Sequence, residues 1–121
     1  MVTSCPLAYS LCRQTVTVYR RQGSQIHREV AENCYLEARD QRRTDALGSR
    51  GDFSFLLVMP GPVQRVFPGD RVMAGVGPEI GSEDWDGFIP AQVPGLYEAA
   101  YAVPYTWEGQ VCHTEAGRRK L

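Results

Sequence analysis

Residues 66–80 read VFPGDRVMAGVGPEI, and how this stretch is read decides the fold. Pro68 and Gly69 precede a short apolar run, Val72-Met73-Ala74, and Gly75, Gly77 and Pro78 end it. Proline fixes φ at one corner of a turn and glycine tolerates the other, so Pro68-Gly69-Asp70 predicts a tight turn, Arg71–Ala74 a short strand, and Gly75-Val76-Gly77-Pro78 a second break. Two turns one short strand apart suit a small barrel, where the chain must corner often. Asp70 beside Arg71 reads as a surface ion pair of small net value.

Working outward, QTVTVYRR at 14–21 alternates Val16 and Val18 with Thr15, Thr17 and Tyr19, the period of a half-buried strand. Gln22-Gly23-Ser24 supplies a turn. For HREVAENCYL, 27–36, Ala31 and Glu32 would allow a helix, but two short extended pieces fit at least as well, and a hairpin with the first strand is the economical pairing. FSFLLVMP at 53–60 is the strongest apolar run; its flanking glycines and prolines predict a strand covered on both faces. Ser82-Glu83-Asp84-Trp85 can cap a single helical turn. LYEAAYAVPY (96–105) and WEGQVCHTEAG (107–117) read as a closing hairpin with Pro104 at the bend.

Residues 37–52, EARDQRRTDALGSRGD, intermingle arginines with acids and cannot be core. They predict a long solvated surface loop, and a loop this long in a small domain is where a partner is met. The expected fold class is therefore all-β: one domain over 1–121, a small barrel or sandwich of six or seven short strands, with the charged loop 37–52, at most one short helix, and flexible ends at 1–12 and 117–121. Arg118, Arg119 and Lys120 form a basic end expected to be frayed.

A chain of 121 residues suits one core. Its net charge of -1, without a run of like charges, does not indicate general attraction to nucleic acid. No segment approaches the roughly 18 apolar residues of a spanning helix, and the N-terminus lacks the basic region and cleavage site of a signal peptide. The protein is expected to be intracellular when made, with Cys5, Cys12, Cys34 and Cys112, which contain no C-x-x-C pair, remaining thiols.

Chemistry is sparse. His27 and His113 are the only histidines. Cys112 and His113 are strand neighbours pointing to opposite faces; Cys34 and His113 could meet across strands, but a buried thiol and a surface imidazole are favoured. Glu83, Asp84 and Asp86 around Trp85 lack the spacing of an EF-hand loop and read as a solvated acidic turn. GVGPEIG lacks the order of a phosphate cradle. Trp85, Tyr97, Tyr101, Tyr105 and Trp107 are mostly core filling, although they also motivate an alternative function, a small β-module binding a ligand or oligosaccharide. No catalytic site, cofactor or metal is expected.

CPLAYSLCRQTVTVYRR near the start, the charged middle loop, FPGDRVMAGVG and the closing GLYEAAYAVPYTWEGQVCHTEAG together resemble the small head-to-tail joining proteins of long-tailed bacteriophages and prophages, called stoppers or head-closure proteins. The resemblance implies a small β-barrel with a long loop, assembled as a hexameric or dodecameric ring in the virion neck. Such a ring joins the portal-adaptor assembly to the tail and helps retain packaged DNA, which it touches without sequence specificity. Carried onto this chain, the contacts to neighbouring subunits or the channel would come from Arg39, Asp40, Arg42, Arg43, Asp45 and Arg50. The expected protein is a structural, non-enzymatic virion component made in the host cytoplasm, with no membrane partner.

Overall fold

The computed structural model describes residues 8–38 and 54–118, and the backbone of 41–45 and 48–52. The protein is all-β. Seven strands form one antiparallel sheet: β1 (Gln14–Gln22), β2 (Gln25–Ala38), β5 (Phe55–Pro60), β6 (Arg71–Ala74), β7 (Leu96–Glu98), β8 (Tyr101–Trp107) and β9 (Gln110–Arg118). A separate two-stranded sheet joins β3 (Gln41–Asp45) to β4 (Gly48–Asp52). The only helical element among the described residues is a short 3-10 helix, Ser82–Gly87, preceded by Gly81 rather than capped by Ser82.

The strand order is β7-β6-β1-β2-β5-β9-β8, so the two ends of the sheet are consecutive in the chain. They meet at a corner. Ala99 exchanges backbone hydrogen bonds with Gly69 and Asp70 on the β6 side, and the Ala100 N–H donates to Gly117 of β9. The sheet thus curls around an interior of Val16, Val18, Leu36, Leu57, Met59, Val66, Val72 and Ala116, across which the Phe55 and Tyr97 rings lie 5.2 Å apart. Beyond the corner the outer edges of β7 and β8 stay open, leaving a half-barrel.

Three elements differ from the sequence reading. β2 is one long strand, neither a helix nor two pieces. It absorbs an extra residue between the Gln14↔Cys34 and Val16↔Ala31 pairs, where Asn33 takes φ 58°, a bulge that bends the strand around the core. β1 is buried on both faces from Val16 to Tyr19 instead of half-buried. The cause is long-range: residues from the 76–95 segment lie over its outer face, with Tyr19, Phe88 and Leu96 forming a second apolar cluster flanked by Ile80, Trp85 and Val93. Arg118 and Gly117, expected in a frayed end, close β9 opposite Phe55 and Leu56. Arg118 also donates to the Glu98 carbonyl.

The opening stretch is tied in by side chains. The Thr17 hydroxyl donates to the Gly75 carbonyl (2.7 Å) and accepts from the Gly77 N–H (2.8 Å). The Tyr19 hydroxyl, fully buried, donates to the Pro78 carbonyl at 2.7 Å. Burial pushes the Tyr19 phenol up from its ordinary pKa, so it remains a donor throughout the physiological range. Tyr19→Phe is expected to cost about 1 kcal/mol, because the hydrogen bond to the Pro78 carbonyl is lost while the ring packing survives. Urea unfolding with an unchanged m-value would check it; no loss would mean that the carbonyl finds another donor.

Asp70 and Arg71 do not form the expected surface pair. Adjacent strand residues face opposite ways, and both are buried. The Asp70 carboxylate accepts from Arg20 (Nη2 at 2.7 Å, Nε at 2.9 Å) and from the Phe67 N–H (2.9 Å). Arg71 donates instead to the carbonyls of Trp85 (2.5 Å) and Phe88 (2.6 Å), with its guanidinium 3.7 Å from the Trp85 ring centroid and a weaker contact to Glu98. A planar, always-charged fork is suited to gathering two carbonyls and an aromatic face. Arg71 pins the 3-10 segment onto the barrel.

Candidate functional site

The charged segment is a hairpin, not a loop. Glu37 and Ala38 end β2, where Ala38 pairs with Phe55; beyond that pair the chain continues as β3 and β4. The register sets Arg42 opposite Gly51, Arg43 opposite Arg50, Thr44 opposite Ser49 and Asp45 opposite Gly48. Arg42, Arg43, Asp45 and Arg50 are thereby gathered on one two-stranded ribbon; Arg39 and Asp40 lie outside the described residues. Among the described residues this ribbon pairs with no strand of the main sheet. Sequence reasoning missed it because QRRTD and GSRGD hold no apolar residue whose alternation would mark a strand.

The second feature is the outer face of β5, β9 and β8. Pairing aligns Val58, Glu115 and Val103 in one row and Pro60, His113 and Tyr105 in the next. Across this face, residues 8–12 border a cleft of about 470 Å³ lined by Tyr9, Tyr35, Val58, Tyr105, His113 and Glu115 among others. Here His113 is buried, against the expectation of a surface imidazole. Tyr105 stacks on it at 4.9 Å, Tyr9 meets it edge-on, and Tyr9 Oη and His113 Nδ1 are hydrogen-bonded at 2.8 Å. Core filling accounts for Tyr97 but not for Tyr105 and Trp107, which are 37% and 43% exposed on β8.

Burial lowers the His113 pKa below its ordinary value of 6.5, partly opposed by the Glu115 carboxylate. The unfolded chain therefore binds this proton more readily than the folded one. Stability contributed by neutral His113 is present above about pH 6.5, declines as pH falls below it, and levels off once the folded imidazole is also protonated. His113→Gln should flatten this part of the profile. Thermal melts of both proteins at pH 7.5 and 5.5 would show it; parallel behaviour would mean that the imidazole is freely hydrated.

Cys34 and His113 do not pair as nucleophile and base. Cys34 belongs to the barrel interior, and burial pushes its thiol up to about 11, far from a reactive thiolate. His113 lies on the opposite face of the sheet from the inward Ala116, and β5 separates β2 from β9. Cys112 is disulfide-bonded, correcting the reading of all four cysteines as thiols, while Cys12 and Cys34 are free. Among the described residues no three His, Cys, Asp or Glu side chains are grouped to hold a metal, and Glu83, Asp84 and Asp86 are spread along the 3-10 helix. Also among them, no helix is long and apolar enough to cross a membrane. The arrangement offers surfaces: a polar ribbon with open edges and an apolar, aromatic sheet edge. Compared with protein-family models, curated proteins and solved structures, the chain matches none.

Proposed function

We propose that the protein is a structural subunit of a phage neck, a head-tail connector of the stopper type that assembles with itself into a hexameric or dodecameric ring. In this role it joins the portal-adaptor assembly to the tail and helps hold packaged DNA, without catalysis. The observation that carries the reading is the β3–β4 ribbon. An isolated two-stranded hairpin is marginally stable in water, and like charges directly opposite, as at Arg43 and Arg50, weaken it further. Such an arm gains its order from what it meets.

The resemblance of the sequence to stopper proteins supplies the assembly, and the small barrel with an arm fits a ring of repeated contacts. A net charge of -1 suits a channel through which DNA must slide. Native mass spectrometry of the concentrated protein, alone and with a phage portal-adaptor complex, tests the reading. A single closed-ring stoichiometry is expected in at least one condition; a monodisperse monomer in both overturns it. A second reading, a ligand- or oligosaccharide-binding module, is favoured by the Tyr9, Tyr105 and His113 cleft. Saturable tryptophan quenching by a glycan panel would support that reading, and a flat response removes it.

A further inference from the structure

The outer surface of the half-barrel is covered unevenly. Over β1, β6 and β7, the chain's own 76–95 segment buries Tyr19 and Leu96. Over β5, β9 and β8, among the described residues, it is 8–12 that approach, and the outward residues Leu56 and Val58 remain half-buried while Val103, Tyr105 and Trp107 stay exposed. These last three stand at i, i+2 and i+4 on one face of β8. The strand is also the last in the sheet, so its far edge is unpaired. A strand that is both apolar and unpaired is a template for another chain's strand.

We propose that β8 is the docking edge for the β3–β4 hairpin of a second copy of this chain, which adds to the sheet as an extra antiparallel ribbon. The inference rests on the ring-forming reading and names its interface. Three features select this occupant. Among the described residues the hairpin has no strand partner on its outer edges, so the backbone groups left open on one copy match those left open on the next. Residues 41–52 hold three arginines and two aspartates, whereas the face that receives them offers aromatic rings at Tyr105 and Trp107 and the Glu115 carboxylate. Guanidinium groups stack on such rings and pair with such carboxylates, relieving the Arg43 and Arg50 opposition. Finally, hairpin and edge are different surfaces, and a head-to-tail contact of that kind closes into a ring when its rotation permits, whereas a self-complementary contact stops at a dimer.

Two variants separate the halves of the contact. One replaces 41–52 by two glycines, which the Ala38↔Phe55 pair leaves close enough to join. The other carries Val103→Lys with Trp107→Lys; both positions are exposed, and lysine on an edge repels further pairing. Circular dichroism and melting temperature establish that each is folded, with Trp107→Lys alone as the milder edge variant. Native mass spectrometry should find that each variant needs roughly 100-fold more protein than the parent to assemble. An equimolar mixture should form a one-to-one heterodimer, since one partner keeps the edge and the other the hairpin. Self-assembly of the hairpin-less variant at the concentration where the parent assembles, or a mixture without heterodimer, overturns the assignment. If both variants form rings like the parent, the interface is elsewhere and the ring reading stands; if the parent is itself monomeric, both fall together.

Discussion

Asp70→Ala is expected to lower the unfolding free energy by about 3 kcal/mol and the melting temperature by roughly 10 °C, a large effect for one turn residue. The carboxylate is nearly inaccessible, at 3% side-chain exposure, and holds three things at once. It accepts two bonds from Arg20 on β1, and one from the Phe67 N–H within its own turn. Its backbone meanwhile receives the Ala99 N–H at the corner where the sheet turns back on itself. Removing it leaves the Arg20 guanidinium three-quarters buried with only the Arg65 carbonyl as a polar partner among these contacts, although its stacking on Phe67 survives. The hydrogen bonds that Arg20 donates to Asp70, and the Asp70 charge, hold the Arg20 pKa above the ordinary value, so the guanidinium stays charged at every pH the folded protein meets. Asp70→Asn should recover part of the loss, because the amide oxygen can still accept from Phe67. Urea unfolding checks both, and a loss under about 1 kcal/mol for the alanine variant would show that water replaces the pair.

Gly77→Ala is expected to be nearly as damaging, about 2–4 kcal/mol, for a different reason. A Cβ at this position would lie 2.1 Å from the Tyr19 hydroxyl oxygen and 3.0 Å from the Met73 sulfur. The tyrosine ring cannot swing aside: it is fully buried, packed edge-on against Phe88 at 4.8 Å and held by Pro78. The added methyl must therefore displace the ring or lift the 76–78 segment off β1. Tyr19→Phe removes the atom in closest conflict, so the double variant should be more stable than Gly77→Ala alone even though each change destabilises by itself. That reversal is the diagnostic readout in a double-mutant cycle; simple additivity would place the damage elsewhere.

The glycines of the opening stretch show how far a sequence can be read. Gly69 and Gly75 take φ of 91° and 77° with open space around them, and turn chemistry anticipates such positions. Gly77 looks identical in the sequence but serves close packing against a residue 58 positions earlier in the chain. The same division runs through the candidate surfaces. The 53–60 run announced a strand needing cover on both faces, and β5 indeed buries Phe55, Leu57 and Met59 inward while leaving Leu56 and Val58 only half-covered. The β3–β4 segment was legible as a charged element but not as strands, since QRRTD and GSRGD hold no apolar residues to alternate. His113 was placed on the surface because neither its tyrosine neighbour 104 positions away nor its stacking partner on β8 is signalled by spacing.

Local chemistry alone determined that this chain is all-β, that it turns near Gly23, Gly69 and Gly75, and which segment is too charged for any core, because φ preferences and apolar periodicity act over a few residues; the closing turn, read at Pro104, forms instead at Glu108-Gly109, with Pro104 inside β8. Only the tertiary structure decided that Asp70 and Arg71 would part company, that Tyr19 would be sealed by a distant loop, and that Val103, Tyr105 and Trp107 would be left on an open edge. Those outcomes depend on which distant segments lie over a given face of the sheet, and contacts between residues far apart in sequence leave no periodic trace in it.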